Sequence, residues 1–147
     1  MDKVTQSTRS RMMAAVRSRD TAPELRVRSM LHAAGLRFRL HDRSLPGTPD
    51  IVLKKHATVI MVNGCFWHGH RCPKGKLPAT RINFWSEKQQ TNRRRDAEAI
   101  RRLRTSGWRV LVIWECQTRR KEELAQALAR SFPQLLRSEA DLPCHDK

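Results

Sequence analysis

The segment Asn63-Gly-Cys-Phe-Trp-His-Gly-His-Arg-Cys72 brings two thiols, two imidazoles and two large aromatic rings into one glycine-broken stretch. Thiolate and imidazole together are the ligand set of structural zinc. Aromatic rings among basic residues are what proteins stack on, or wedge between, nucleic-acid bases. A folded loop can turn Cys65, His70 and Cys72 onto one ion, and the fourth donor must come from elsewhere. Cys116 is the better candidate, because it sits just past an apolar strand that would fix its position. Cys144 follows Pro143 in a charged C-terminal tail. Three thiolates and one imidazole close a tetrahedral site without room for water, which makes it structural. His68 could replace His70 as a ligand. Left outside the site, it is a free imidazole beside a rigid anchor, suited to general acid–base work. The competing reading makes Cys65 and Cys116 small buried hydrophobes and His70 a surface residue.

Three carboxylates stand out beside this loop. Asp50 follows Pro-Gly-Thr-Pro and opens an apolar strand. An acid at a sheet edge suits Mg²⁺, which takes few carboxylates and keeps several waters, and a backbone carbonyl near Val62 would add an oxygen. Aspartate is also common in turns for conformational reasons alone. Glu24 closes Thr21-Ala-Pro-Glu, so its first duty is that of the reciprocal acid in a capping box. Asp96, within Arg93-Arg-Arg-Asp96, reads as a helix-surface ion pair with arginine, worth little to stability.

The elements that must position these groups follow from periodicity. A first helix is expected over about Thr8–Arg19, with Met12, Met13 and Val16 on one face. Thr21 starts a second, where Leu25, Met30, Leu31 and Ala34 keep helical spacing up to Gly35. Leu36, Phe38 and Leu40 alternate with Arg37 and Arg39, the period of a half-exposed strand. After the turn-rich Ser44–Pro49, Asp50–Leu53 and Ala57–Val62 form a hairpin across Lys54-Lys55-His56. Thr80 can cap a long helix to about Ser106, with a break near Gln90 and Gly107 ending it. Trp108–Trp114 reads as a buried strand, and Lys121–Phe132 as a last helix stopped by Pro133. A meander of three strands plus a fourth delivered by a crossover helix is a mixed α/β sandwich.

With 147 residues the chain makes one domain, residues 1–147, with an N-terminal arm over 1–20 and a loose tail over 133–147. Hydrophobic residues make up 39% and aromatics only 5%, so the core should be aliphatic and each Trp or Phe informative. Thirty Lys and Arg against fourteen Asp and Glu give a formal charge of +16, a field that attracts polyanions by counterion release. A merely basic soluble enzyme is the bland alternative. No stretch approaches the ~20 apolar residues of a membrane-spanning helix, and the polar N-terminus lacks a signal peptide. Four cysteines then favour metal or free thiols in a reducing cytoplasm over a disulfide framework.

The chain resembles the very-short-patch repair (Vsr-type) DNA mismatch endonucleases over about residues 7–120. The residues that carry this are Ser10-Arg-Met-Met-Ala, Arg19-Asp-Thr-Ala-Pro-Glu24, Ser44-Leu-Pro-Gly-Thr-Pro-Asp50, Gly64-Cys-Phe-Trp-His68, Pro78-Ala-Thr-Arg and Gly107-Trp-Arg-Val-Leu-Val-Ile-Trp-Glu-Cys116. The resemblance implies a restriction-endonuclease-like αβββαβ core with a mixed sheet, an extra N-terminal helix and structural zinc. It implies Mg²⁺-dependent nicking of one strand, 5′ to the thymine of a T:G mismatch left by 5-methylcytosine deamination. Asp50 and the Val62 carbonyl would hold Mg²⁺, His68 would be the general acid–base, and Glu24 would act through metal-bound water. Cys65, His70, Cys72 and Cys116 correspond to the zinc ligands. Phe66, Trp67 and Trp85 would wedge into double-stranded DNA from the major groove and Met13 from the minor groove, with Lys88 and Asn92 as further DNA contacts. Mismatch-repair proteins are implied as partners, the enzyme acting as a monomer at the bacterial nucleoid.

Two departures qualify the likeness. Well-known members carry histidine two residues before the first zinc-ligand cysteine, where this chain has Asn63, which cannot shuttle a proton. With Asp96 it belongs to the surroundings of the site. The Glu-x-Lys half of a restriction-nuclease site is also missing after the second strand, as in the rest of the family. Trp108 and Trp114, inside an apolar run, read as core. The rivals are a general nickase of the same fold and a zinc-stabilised DNA-binding module without catalysis. A zinc-dependent base deaminase is disfavoured, because its His-x-Glu and Pro-Cys-x-x-Cys pairing is absent.

Overall fold

The computed structural model describes residues 20–136. The expected helix over 8–19, with Met13, and the tail from 137 onward, with Cys144, lie outside them. The elements are α1 (Ala22–Ala33), β1 (Arg39–Leu40), β2 (Ile51–Leu53), β3 (Thr58–Asn63), α2 (Ile82–Thr105), β4 (Arg109–Trp114) and α3 (Lys121–Ala129). The sheet order is β1-β2-β3-β4, antiparallel through β3, with β4 parallel to β3 after the α2 crossover. This is the mixed α/β arrangement that the periodicity predicts.

Alternation along the strands sends side chains to two cores. Ile51, Leu53, Ile60 and Ile113 meet Val27 and Leu31 of α1, Leu124 and Leu128 of α3, and Phe132. Val52, Val59 and Met61 face the other way, onto Ala99 and Leu103 of α2. The sheet therefore lies between α1 and α3 on one face and α2 on the other. β3 is the central element, covered on both sides, and its β-branched run Thr-Val-Ile-Met-Val suits that position.

Several expectations need correction. The stripe on α1 is Val27 and Leu31, whereas Leu25 is exposed. The strand expected over 36–40 shrinks to Arg39–Leu40, because β2 offers only Ile51 and Val52 as partners; Leu36 and Phe38 pack into the core outside any ladder. Among the described residues β4 is an edge strand, paired to β3 alone, so only Ile113 is fully buried. α2 runs unbroken through Gln90 and starts from Arg81, in the left-handed region at φ 55, instead of from Thr80. Both halves of α2 are packed: Ala99 and Leu103 on the sheet, Trp85 and Gln89 under the cysteine loop. α3 stops at Ala129, and Pro133–Leu136 forms a 3₁₀ turn that brings Leu135 against the core.

The loop before Asp50 is fixed by a close approach. Gly47 has φ +72, and a Cβ there would lie 2.6 Å from the Ala99 Cβ of α2. Its hydrogen thus seats the turn directly on the helix, which sets where Asp50 enters β2. Gly47→Ala combines a left-handed backbone penalty with overpacking, for an expected loss of about 1–3 kcal/mol in urea unfolding. An unchanged unfolding midpoint would contradict this contact.

Candidate functional site

Glu24, Asp50, Val62, Asn63, His68 and Asp96 all line one cleft of about 670 Å³. Thr21, at the N-cap of α1, accepts a hydrogen bond from the Glu24 amide at 3.4 Å. The Glu24 carboxylate does not complete the expected box with the cap residue itself. Its Oε2 accepts from the Asp20 amide, from Arg28 Nη2 and from His41 Nε2, each at 3.0 Å. The cap and a place in the cleft are therefore compatible. Asp20, Glu24 and His41 also lie close enough together to suggest a metal site. However, the Arg28 guanidinium pairs with Asp20 at 2.7 Å as well as with Glu24, and already supplies the positive charge.

Asp50 leaves the turn at the start of β2 and meets β3. Its Oδ2 accepts the Val62 amide hydrogen at 2.8 Å, so the contact with Val62 runs through N–H. Burial pushes the Asp50 carboxyl up to about 6, and the nearby Glu24 adds to the shift. The Val62 hydrogen bond, His41 and Arg28 oppose it. An acid held so far from its usual range, beside a second carboxylate, is a site that gains from a cation.

The cysteine loop faces these acids across the cleft. Cys65, His70, Cys72 and Cys116 place one donor atom each within 4.8 Å of one another. Cys116 lies in the 3₁₀ turn right after β4, whose parallel pairing with β3 carries it to the loop. Cys116 Sγ is 3.6 Å from His70 Nδ1, and its amide donates to Cys65 Sγ at 3.4 Å. A tetrahedral zinc ion with bonds of about 2.0–2.3 Å needs donors about this far apart. Burial pushes the Cys65 thiol up to about 12 and raises that of Cys116, while a hydrogen bond from His70 lowers that of Cys72. A cation would reverse the first two shifts by binding the thiolates. Trp114, expected in the core, instead stacks on the His70 ring with centroids 4.2 Å apart. Gly75 allows the loop to fold back, since a Cβ there would lie 1.8 Å from the His70 carbonyl oxygen.

Helix α2 holds the other side of the loop. Gln89 donates to the Phe66 carbonyl at 2.6 Å and to that of Gly75 at 3.2 Å. Asn92 donates to the Trp67 carbonyl at 2.8 Å, and Arg93 to those of His68 and Gly69. Asp96, one turn on, accepts a short hydrogen bond from His68 Nδ1. This replaces the expected arginine pair. It also leaves Nε2 as the ring nitrogen able to take or give a proton, the tautomer that the carboxylate selects.

The aromatic residues form a contiguous group. Phe66 and Trp67 are half-buried and meet edge to face at 5.4 Å, and both contact Trp85, at 5.3 and 6.0 Å. Trp85 is buried beneath them, with its indole N–H unpartnered among the described residues. Lys88 is exposed on the same helix. The structure thus brings together most of the residues picked from sequence. Those that sequence reading missed are His41, Arg28, Gln89 and Arg93. On a basic helix, Gln89 and Arg93 look like any solvated face, and only their spacing from Asn92 hints at a shared surface.

The first 74 residues match the sequence model of the family described as DNA mismatch endonuclease Vsr. The DNA mismatch endonuclease Vsr of Escherichia coli is 51% identical over 118 residues, which is 80% of this chain and 76% of that protein. The type II nicking enzyme V.XorIIP of Xanthomonas oryzae is 49% identical over 116 residues, 79% of this chain and 85% of that protein. The type II nicking enzyme V.NmeAIP of Neisseria meningitidis is 41% identical over 129 residues, 88% of this chain and 92% of that protein. With the carboxylates, the cysteine–histidine cluster and the aromatic group in one corner of the fold, the chain belongs to the Vsr family of DNA mismatch endonucleases.

Proposed function

We propose that this protein nicks one strand of duplex DNA on the 5′ side of the thymine in a T:G mismatch, and so starts very-short-patch repair after 5-methylcytosine deamination. The reading takes the core as restriction-endonuclease-like, and the working form as a monomer in the bacterial cytoplasm. The observation that carries it is one cleft shared by Glu24, Asp50 and the His68–Asp96 pair, with Trp67 on its wall. A nicking activity also stands in the names of the Xanthomonas and Neisseria relatives.

Asp50 is the residue that would hold Mg²⁺, with the Val62 carbonyl as a second oxygen donor. The bound ion supplies charge neutralisation at the scissile phosphate. Asp50 keeps one carboxylate oxygen for this, because the Val62 amide engages only Oδ2. His68, oriented by Asp96, exchanges a proton through Nε2 with the attacking or leaving oxygen. Glu24 is held through Oε2 and orients water with its other oxygen. Asn63 lines the same cleft and can hydrogen-bond but not transfer a proton, so the acid–base work rests on His68.

Recognition rests on the cost of unstacking. Phe66 and Trp67 wedge between bases at about a few kcal/mol per step in sound duplex, and less where a mismatch stacks poorly. Trp85, which the resemblance makes a third wedge, is buried beneath both rings and backs them instead, while Lys88 meets the phosphate backbone and Asn92 acts through the Trp67 carbonyl that it holds. Met13 would close on the minor groove from the N-terminal arm. Cys65, His70, Cys72 and Cys116 would carry Zn²⁺ as a structural anchor for this loop.

With Mg²⁺, a T:G duplex is expected to be nicked on the thymine strand well above its T:A counterpart, and Asp50→Asn to slow this on the order of a thousandfold. Equal cutting of both duplexes would favour a general nickase, and binding without cutting a non-catalytic module. Purified protein should carry one zinc per chain and unfold when a strong chelator removes it. Cys116→Ser should lose the metal while Cys144→Ser retains it, as read by metal analysis with thermal melting. Asp50 is neutral below about 6 and anionic above it, so protons compete with Mg²⁺ only on the acid side. The Mg²⁺ concentration for half-maximal nicking should therefore be flat above that pH and rise about tenfold per unit below it. A flat profile down to pH 5 would contradict this.

A further inference from the structure

His41 sits in the loop between β1 and β2 with a backbone that few side chains tolerate. Its φ is +47, in the left-handed region, where a residue other than glycine is strained. Such strain persists when the surroundings over-determine it, and here two contacts do so. The His41 amide donates to the Asp50 carbonyl at 3.1 Å, which ties the turn to the first residue before β2. Its Nε2 reaches Glu24 Oε2 at 3.0 Å, across 17 positions of sequence. One residue thus joins the main chain of one carboxylate to the side chain of the other, and its ring lines the cleft that both acids share.

The contacts on Glu24 make this join directional. Among the described residues, three hydrogen bonds reach its carboxylate, and all of them end on Oε2. Two of the donors, the Asp20 amide and Arg28, come from α1 and the residues just before it. They fix Glu24 relative to its own helix but not relative to Asp50. His41 alone of the three comes from the sheet side, so it sets the distance between the two acids.

We infer that His41 is a positioning residue for the nicking reaction: it holds Glu24 at a set place beside Asp50, through a hydrogen bond from Nε2, from a strained turn anchored to Asp50. This rests on the functional reading given above, in which Glu24 and Asp50 act together. The role needs a hydrogen-bond donor at the position of Nε2, not a titrating ring. It does not place His41 on substrate.

Substitutions at this position separate positioning from mere support of the turn. His41→Gly relieves the left-handed strain and removes the donor. His41→Gln puts an amide nitrogen near the place of Nε2, and His41→Asn near that of Nδ1. Single-turnover nicking of a T:G duplex, duplex affinity and thermal melting would be measured for each beside wild type. The expected result is that His41→Gly melts within a few degrees of wild type and binds duplex within about threefold, yet nicks about 10- to 100-fold more slowly. His41→Gln recovers most of the rate and His41→Asn does not. In a Glu24→Ala background, which removes the acceptor, His41→Gly should change the residual rate by less than about twofold, because the interaction is already lost. A wild-type rate in His41→Gly, or equal loss in the Gln and Asn variants, overturns the inference. So does a rate loss matched by a loss of affinity or of melting temperature. Wild-type nicking without preference for the mismatch would instead overturn the proposed specificity, while leaving the comparison among His41 variants intact. Absence of any nicking by wild type would overturn both.

Discussion

The nine residues 64–72, without helix or strand, cannot hold an imidazole and two large rings in place by their own hydrogen bonds. The cysteine loop solves this by being fastened on two sides. On one side Cys65, His70, Cys72 and Cys116 converge. On the other, Gln89, Asn92 and Arg93 of α2 take the carbonyls of Phe66, Trp67, His68 and Gly69. Spacings of three and four place these side chains on one helical face. Both fastenings depend on the sheet. The parallel pairing of β4 with β3 delivers Cys116, and the packing of Ala99 and Leu103 on β3 sets the height of α2. The crossover topology therefore determines the position of His68, although His68 itself lies in neither element.

The acidic side of the cleft follows a different logic. In a chain of formal charge +16, Glu24 and Asp50 are drawn close together and partly removed from water. Burial raises the Asp50 carboxyl, and Glu24 raises it further. Arg28 and His41 lean against Glu24 and keep the pair from being wholly unfavourable. What remains is an incompletely compensated acid facing a cleft, which is the electrostatic condition for recruiting a divalent cation. In the proposed function, the basic surface around it would attract the duplex, while this local inversion of charge would keep the reacting centre from becoming only another phosphate-binding patch.

Much of this was legible in the sequence, and the exceptions have physical causes. The β2–β3 hairpin, the Thr21 cap and the arrest of α2 at Gly107 follow from local chemistry, and local chemistry is what periodicity reports. The cysteine–histidine cluster was readable because thiols and imidazoles are rare enough for their spacing to mean something. Val27 instead of Leu25 on the buried face of α1 was not, since both are apolar and only the docking angle on the sheet decides between them. Trp114 looked like core because its strand is apolar, but β4 is an edge and its last residue reaches the loop. Asp96 looked like one more surface charge among arginines; its pairing with His68 depends on a contact 28 positions away in sequence. The same holds for His41, whose role comes from a tertiary contact with Glu24.

The proposed chemistry requires the loop to be a fixed platform. Zinc K-edge X-ray absorption of the purified protein tests this most directly. The prediction is a four-coordinate site with three sulfur ligands at about 2.3 Å and one nitrogen at about 2.0 Å, unchanged when mismatched duplex is added. A shell with fewer sulfurs and an open oxygen position, or a coordination that changes on DNA binding, would contradict it.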